Sequence, residues 1–222
     1  MAGLVHAENR RLHALAEAAA CNARADAAAA GVACSVETPH LSYPELVISF
    51  QSQARLHDLI VLDAEPEALA PYRGLIDALL MVSGRPLLVV PPGQEVFRAR
   101  RIILAWDGSV HAARGAADAS PFLRAAGIVE VVTVVGEKEL PTSVTGADIA
   151  PHLTRHGVNV RVQTSPIEEG DVARTLRNHA TLTHADMIVM GGYVHSRLRE
   201  LVFGGVTQSL LKESPVPLFM AY

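Results

Sequence analysis

The stretch of sequence that decides the fold is MGGYVHSRLRELVFGGVTQSLLKESPVPLFMAY, residues 190–222. It follows a short apolar segment, His184–Met190, whose composition is typical of a buried strand. Gly191 comes directly after that strand, and Gly204 and Gly205 form a pair further along. Glycines beyond a strand let backbone N–H groups approach a phosphate closely, and a helix N-terminus favours negative charge there. The stretch therefore indicates a strand, an anion-binding loop, a helix and a closing strand.

Upstream of this stretch, apolar strands alternate with helices. The strand Ile102–Trp106 runs into Asp107-Gly-Ser109, where Asp107 can accept hydrogen bonds and glycine lets the chain turn. The other elements predicted in this half are helices at 112–126, 146–156, 171–184 and 197–214, and strands at 129–135, 158–164, 187–190 and 217–222. Such alternation indicates βαβ units, and strands of near-continuous Val, Ile and Leu suit a sheet buried on both faces. We therefore predict an α/β fold with a parallel sheet.

The chain also contains an internal repeat. Three segments of the first half match three segments of the second half in order and composition. The pairs are Gly31–Thr38 with Gly157–Thr164, His57–Leu62 with Ala185–Met190, and Pro86–Val90 with Pro217–Ala221. Each copy is predicted to contain helix, strand, helix, strand, helix and strand. The repeat divides the chain into copy one at 1–92, a linker at 93–100 and copy two at 101–222.

Copy one is incomplete, because it begins too late to include the first strand and helix. It has no equivalent of Asp107-Gly-Ser109. We expect a truncated or misassigned start rather than a natural half-domain. The missing strand would leave a cleft in the sheet of copy one, which another segment or a second subunit would fill. The linker contains Pro91-Pro-Gly-Gln-Glu95 at its start, a composition typical of a domain boundary.

Three motifs together resemble the universal stress protein family. They are Asp107-Gly-Ser109, the glycine-containing loop after Met190, and the closing strand at 217–222. The resemblance implies a Rossmann-like, HUP-type parallel sheet of order 3-2-1-4-5 with helices on both faces, in two tandem copies. It also implies pairing of domains through their last strands. We therefore expect Pro217–Tyr222 to contact copy one within the chain, or a second subunit in a homodimer.

The resemblance further implies an ATP site. Its residues would be Ala105, Asp107 and Val134 on the adenine and ribose side, and Gly191, Val194, Gly204 and Gly205 around the phosphates. Two of these residues could serve the fold instead of a ligand. Asp107 or Ser109 could cap the helix that follows, which would contribute about 1 kcal/mol without any ligand. Val134 fits a core position equally well.

The predicted phosphate loop departs from the family signature, which in ATP-binding members reads G-x2-G-x9-G-[S/T]. Val194 stands at the second glycine and resists a positive φ, while Gly205 stands at the Ser/Thr and lacks its hydroxyl. One lost charged hydrogen bond weakens binding about tenfold to hundredfold. His195, Arg197 and Arg199 could compensate as phosphate partners, or they could form a solvated helix face with Glu200.

Composition excludes several classes of function. The net charge of −4 and the pI near 6.2 provide no electrostatic footprint for nucleic acid or an anionic membrane. No apolar run reaches the roughly 18 residues of a membrane span. His152 and His156 have helical spacing without a third ligand, so no metal site is predicted. Cys21 and Cys34 are expected to be buried free thiols, and the protein to be cytoplasmic.

Two classes of function remain. The first is a cytoplasmic stress-response protein that acts by association, without catalytic turnover and without a bound cofactor, and Val194 and Gly205 favour it. The second is an ATP-binding regulator, which Asp107, Gly191 and Gly204 favour. A third class, an adenylyl-transferring enzyme, would need a His/Lys set at the pocket mouth. Only His195 is near that position, so we expect no enzyme.

Overall fold

A computed structural model describes residues 2–64, 69–136, 145–192 and 205–222. These residues form two compact units, 1–48 and 49–222. Val194 and Gly204 of the predicted phosphate loop lie outside the described residues, as do the basic side chains that could compensate for them. The repeat boundaries at 92/93 and 100/101 were drawn from sequence similarity. The division into compact units does not test them, so they stay predictions.

The first unit is built on one long helix, α1 (Ala2–Ala29), which is rich in alanine, the strongest helix former. Gly31 follows its end with a φ of 68°, the left-handed conformation in which glycine commonly terminates helices. Residues 32–42 have no regular secondary structure and return along α1, where Arg24 donates to the carbonyl of Val36 at 3.2 Å. The helix α2 (Tyr43–Ala54) begins in this unit and ends in the second.

The strand expected at Gly31–Thr38 does not form, so that prediction is wrong. A strand needs a neighbour for its backbone N–H and C=O groups. The matching strand of copy two, Val160–Pro166, obtains these bonds from Ile128–Val135. Within the described residues, no strand pairs with the segment 31–38, so its backbone groups form no ladder.

The two thiols are free, as predicted, but they are exposed rather than buried. Among the side chains described from Arg10 to Ile48, Ala20 alone is buried. The described residues of this unit include no strand, so α1 has no sheet in the unit on which to bury a face. Burial of Cys21 and Cys34 was predicted from their residue type, and the first unit lacks the core that burial requires.

The second unit is organised around a seven-stranded sheet of order β1-β2-β7-β6-β3-β4-β5. The strands are β1 (Ile60–Asp63), β2 (Leu87–Val90), β3 (Arg101–Ala105), β4 (Ile128–Val135), β5 (Val160–Pro166), β6 (Met187–Gly191) and β7 (Leu218–Ala221). All neighbours are parallel except β2 and β7. The five strands of copy two have the relative order 3-2-1-4-5, as predicted.

Six helices accompany this sheet among the described residues: α3 (Leu69–Val82), α4 (Val110–Asp118), α5 (Ser120–Ala125), α6 (Gly146–Arg155), α7 (Val172–Thr183) and α8 (Gly205–Glu213). The single helix predicted at 112–126 is in fact α4 and α5. Pro121 lies in the first turn of α5, where its missing N–H costs nothing, whereas it would break a continuous helix. No helix in the described part of the chain is long and apolar enough to cross a membrane.

Helices cover both faces of the sheet. Ile102 and Leu104 of β3 pack in one buried cluster with side chains from α4, α5 and α6. Glu130 of β4 contacts His179 of α7. Because successive side chains of a strand point to opposite faces, Glu130 lies on the face away from Val129 and Val131, which belong to the cluster. The helix α7 therefore covers the opposite face from α4 and α6.

The antiparallel junction of β2 and β7 joins the two sequence copies. Leu87 pairs with Met220, Leu88 with Phe219 and Val89 with Leu218. The predicted contact between the last strand and copy one is thereby confirmed in its intramolecular form. An apolar edge strand invites aggregation, and this pairing gives β7 a neighbour on each side.

Candidate functional site at the carboxyl edge of the sheet

The strands β3, β4 and β6 end at the same edge of the sheet, because they are parallel neighbours. From β3 the chain proceeds to β4 and β5 on one side, whereas β6 and β7 lie on the other. Ligands of open α/β sheets bind outside the carboxyl ends of strands where the order reverses in this way. The structure thus brings Ala105, Asp107, Val134 and Gly191 to one edge. That edge is the candidate site.

The Asp107-Gly-Ser109 turn is held by its own hydrogen bonds. Asp107 Oδ1 accepts the backbone N–H of Ser109 at 2.9 Å, and Gly108 has a φ of 74°. Ser109 is the N-cap of α4, and its hydroxyl accepts the N–H of Ala112 at 3.1 Å. The alternative in which this turn caps the helix is therefore realised by Ser109, while Asp107 orders the turn. No hydrogen bond within the described residues uses Asp107 Oδ2.

Gly191 is required by close packing of α4 on β6. A Cβ at this position would lie 2.5 Å from the carbonyl carbon of His111 and 2.6 Å from the backbone nitrogen of Ala112. The same helix approaches the strand again at Gly115, where a Cβ would lie 3.0 Å from the carbonyl oxygen of Met190. The first glycine of the predicted phosphate loop therefore has a structural function that its place in the signature did not reveal.

Gly205 differs from Gly191, because no described residue packs against the position that a side chain would take there. It is the exposed first residue of α8, and a Cβ would meet no neighbouring atom of the described residues within 4 Å. A serine, as in the family signature, would fit without displacement of its neighbours. The departure from the signature at this position is therefore a difference in chemistry rather than in packing.

Ala105 and Val134 line the same edge. Both are half-buried, with Ala105 paired to Val132 and Val134 paired to Ser165. They offer a partly open apolar surface of the kind that could contact a ring, and they equally continue the core. Within the described residues, no group of three His, Cys, Asp or Glu side chains could hold a metal ion.

A buried carboxylate with two basic partners lies away from this site, and the sequence analysis did not predict it. Glu130 is 2% exposed, its Oε2 lies 2.8 Å from His179 Nε2, and its Oε1 lies 3.3 Å from Arg101 Nη1. It is the third residue of β4, near the amino end of the strand and remote from the carboxyl edge. The available signal was a glutamate inside the otherwise apolar stretch at 128–135. The cluster serves the stability of the fold rather than the site.

The N-terminus of α6 supplies a prediction about pH. The pKa of Asp148 is held below its ordinary value, chiefly because the backbone N–H of Thr145 donates to Oδ2 at 2.6 Å and also because its hydroxyl donates at 2.8 Å. A carboxyl with a lowered folded pKa stabilises the fold above its unfolded pKa and loses that effect as pH falls through the folded value. We expect carboxyl-carbon NMR to give a titration midpoint for Asp148 below its ordinary range.

One substitution separates the contributions of the two donors to the pKa of Asp148. In Thr145→Val the hydroxyl is lost and the backbone N–H stays, so the midpoint should move only part of the way back to the ordinary value. An ordinary midpoint in the unmodified protein would show that the cap does not persist in solution.

The chain is similar to known proteins in both sequence and fold. A family model described as the universal stress protein family matches residues 98–221. A universal stress protein structure from Archaeoglobus fulgidus DSM 4304 aligns with a TM-score of 0.70, 16% identity and coverage of 100% of this chain and 79% of that one. A putative universal stress protein from Pseudomonas aeruginosa UCBPP-PA14 aligns with a TM-score of 0.60, 12% identity and coverage of 92% and 77%. At such identities the likeness shows the fold alone.

One curated relative also matches over a short region. The stress response protein NhaX of Bacillus subtilis strain 168 is 41% identical over 54 residues, which are 24% of this chain. The match spans 32% of the length of that relative.

Proposed function

Because the chain belongs to the universal stress protein family, we propose that it acts in the stress response by association with other molecules, without catalytic turnover. The observation that supports this proposal is that groups of the candidate site already make contacts within the chain. Asp107 Oδ1 is engaged by Ser109, Ser109 Oγ is engaged by Ala112, and Gly191 lies against the backbone of His111. Asp107, Ser109 and Gly191 therefore all take part in the attachment of α4 to β3 and β6.

The sequence of the loop supports the same proposal. Val194 stands where a glycine would let the backbone meet a phosphate, and Gly205 offers an N–H without the hydroxyl of the signature. Catalysis would also require a general acid or base placed at the edge of the sheet. Asp107 shares its carboxylate with the turn, and no metal-binding cluster lies among the described residues.

ATP-dependent regulation is the second candidate, and one observation favours it. Asp107 Oδ2 is used by no hydrogen bond within the described residues, and Asp107 follows β3 at the switch point of the sheet. A carboxylate oxygen in that position could accept hydrogen bonds from the hydroxyls of a ribose. On this proposal the loop backbone would still hold the phosphates despite Val194 and Gly205.

A calorimetric titration with Mg-ATP distinguishes the two candidates. For the unmodified chain we expect no heat of binding up to millimolar ATP. For the double variant Val194→Gly/Gly205→Ser we expect affinity to rise by a factor of about ten or more, the value of one regained charged hydrogen bond. Gly205→Ser alone is the matched control, because it adds the hydroxyl without opening the backbone at position 194.

Micromolar binding by the unmodified chain would overturn the proposal and establish the ATP-binding alternative. If neither protein binds while circular dichroism shows both folded, nucleotide is excluded by more than these two side chains. The search would then turn to protein partners.

A further inference from the structure

Two buried polar atoms near the carboxyl edge have no hydrogen-bond partner within the described part of the chain. They are Nε1 of Trp106 and Oγ1 of Thr133. Trp106 is 4% exposed and Thr133 is 8% exposed, so bulk water does not satisfy them. Buried polar groups in folded proteins are bonded in the great majority of cases, so an unbonded pair points to a missing partner.

The two residues are neighbours in the sheet. Ala105 pairs with Val132, and the backbone N–H of Trp106 extends this parallel ladder by donating to the carbonyl of Val132 at 2.9 Å. Trp106 and Thr133 therefore stand opposite each other on adjacent segments of the sheet, one residue beyond the pair of Ala105 and Val132.

Their side chains also share a face. Trp106 packs in the buried cluster that includes Val131 of β4 and Leu153 of α6. Thr133 lies two residues after Val131 on the same strand, and therefore on the same face. Its hydroxyl is 3.2 Å from the point where a Cβ on Gly146 would stand, at the start of α6. The hydroxyl of Thr133 thus lies against the start of α6, and Trp106 lies on the same face of the sheet.

The chemistry of the two groups restricts what could satisfy both. An indole N–H donates only, whereas a hydroxyl can donate or accept. One oxygen placed between them could accept from each, and an ordered internal water normally makes two to four such bonds. We propose that Trp106 and Thr133 together bind one hydrogen-bond-accepting oxygen beneath the carboxyl edge of the sheet. Its source is either an internal water molecule or an oxygen of a small polar ligand.

NMR of the full chain tests the proposal directly, because Trp106 is the only tryptophan in the protein and its indole resonance is unambiguous. A cross-peak between the indole Hε1 and water would show a bound water. A downfield Hε1 without that cross-peak, which moves upfield after unfolding, dialysis and refolding, would show an extractable ligand. An Hε1 at the position of an unbonded indole before and after this treatment would overturn the proposal.

Substitution of the Thr133 hydroxyl provides a second test, because the expected change in stability has opposite signs for a bonded and an unbonded hydroxyl. Thr133→Val replaces the hydroxyl with a methyl group of similar size. If the hydroxyl is bonded, the unfolding equilibrium constant should rise by about fivefold or more, the factor for one hydrogen bond. If it has no partner, the variant should be as stable as the unmodified protein or more stable, which would overturn the proposal.

Thr175→Val is the matched control for this measurement. Thr175 is 2% exposed, and its hydroxyl donates to the carbonyl of Asp171 and accepts the N–H of Glu168, both at 2.9 Å. Thr133→Val should change stability in the same direction as this control, and it should also shift the indole Hε1 of Trp106. A shift of that resonance is not expected from Thr175→Val.

Discussion

Gly191→Ala is expected to lower the free energy of unfolding by about 3 kcal/mol, the upper end for overpacking of a core. The new Cβ would lie 2.5 Å from the carbonyl carbon of His111 and 2.6 Å from the nitrogen of Ala112. Both are backbone atoms, so no side-chain rotation can relieve the contact. The N-terminus of α4 would have to move away from β6. Urea denaturation followed by far-UV circular dichroism measures the loss.

Gly205→Ala is the matched control. It also adds one methyl group to a glycine of the predicted phosphate loop, but no neighbouring atom from the described part of the chain lies within 4 Å of the new Cβ. We expect a change of less than about 1 kcal/mol, in the stabilising direction, because alanine restricts the unfolded chain and favours helix. Equal effects of the two substitutions would contradict the assignment of Gly191 to helix packing. The control would then indicate a general intolerance of side chains in the loop.

Glu130→Ala is the second substitution with a large expected effect. Glu130 is 2% exposed and bonds His179 at 2.8 Å and Arg101 at 3.3 Å. Removal of one partner from a buried polar cluster commonly costs about 3–5 kcal/mol, because the others are left unsatisfied. We expect a loss near the lower end, since the side chain of Arg101 is 40% exposed and can turn to water. Chemical denaturation at constant pH measures it.

The pair of Arg114 and Asp118, whose side chains are 54% and 22% exposed, is the more solvent-accessible control for this effect. Their atoms are 2.9 Å apart, a shorter contact than that of Glu130 with Arg101, yet the side chain of Arg114 is 54% exposed. Asp118→Ala should cost no more than about 0.5 kcal/mol, the usual contribution of such a helical pair. If Glu130→Ala proved equally mild, water would have to reach His179 in place of the carboxylate, and the cluster would not be a stabilising one.

Much of the sheet follows from local sequence. Runs of Val, Ile and Leu bounded by turn residues predict strands wherever a parallel neighbour is present, as at Ile102 to Ala105 and at Met187 to Gly191. The closing strand was expected to meet copy one, and Leu218–Ala221 pairs with Leu87–Val90. The Asp107-Gly-Ser109 turn was also predictable, because its hydrogen bonds are formed between residues close in the chain.

The failures occur where a distant partner decides the outcome. Gly31–Thr38 has the composition of a strand, but a strand exists only as part of a ladder, and no described strand pairs with this segment. Cysteine is a residue type that is commonly buried, but Cys21 and Cys34 are both exposed, because burial depends on the elements that pack around a side chain. The division of the helix at 112–126 could have been predicted from Pro121, whose effect is local.

For the candidate site, too, local features were predictable from the sequence and distant contacts were not. The sequence by itself determined that Ala105, Asp107, Val134 and Gly191 lie at or just beyond the carboxyl ends of strands of one parallel sheet, because strand periodicity and turn chemistry are local properties. Only the tertiary structure decided that Gly191 lies against α4 and that Glu130 meets His179. Those contacts join residues far apart in the chain, so they depend on packing distances between elements, which residue types and their spacing do not specify.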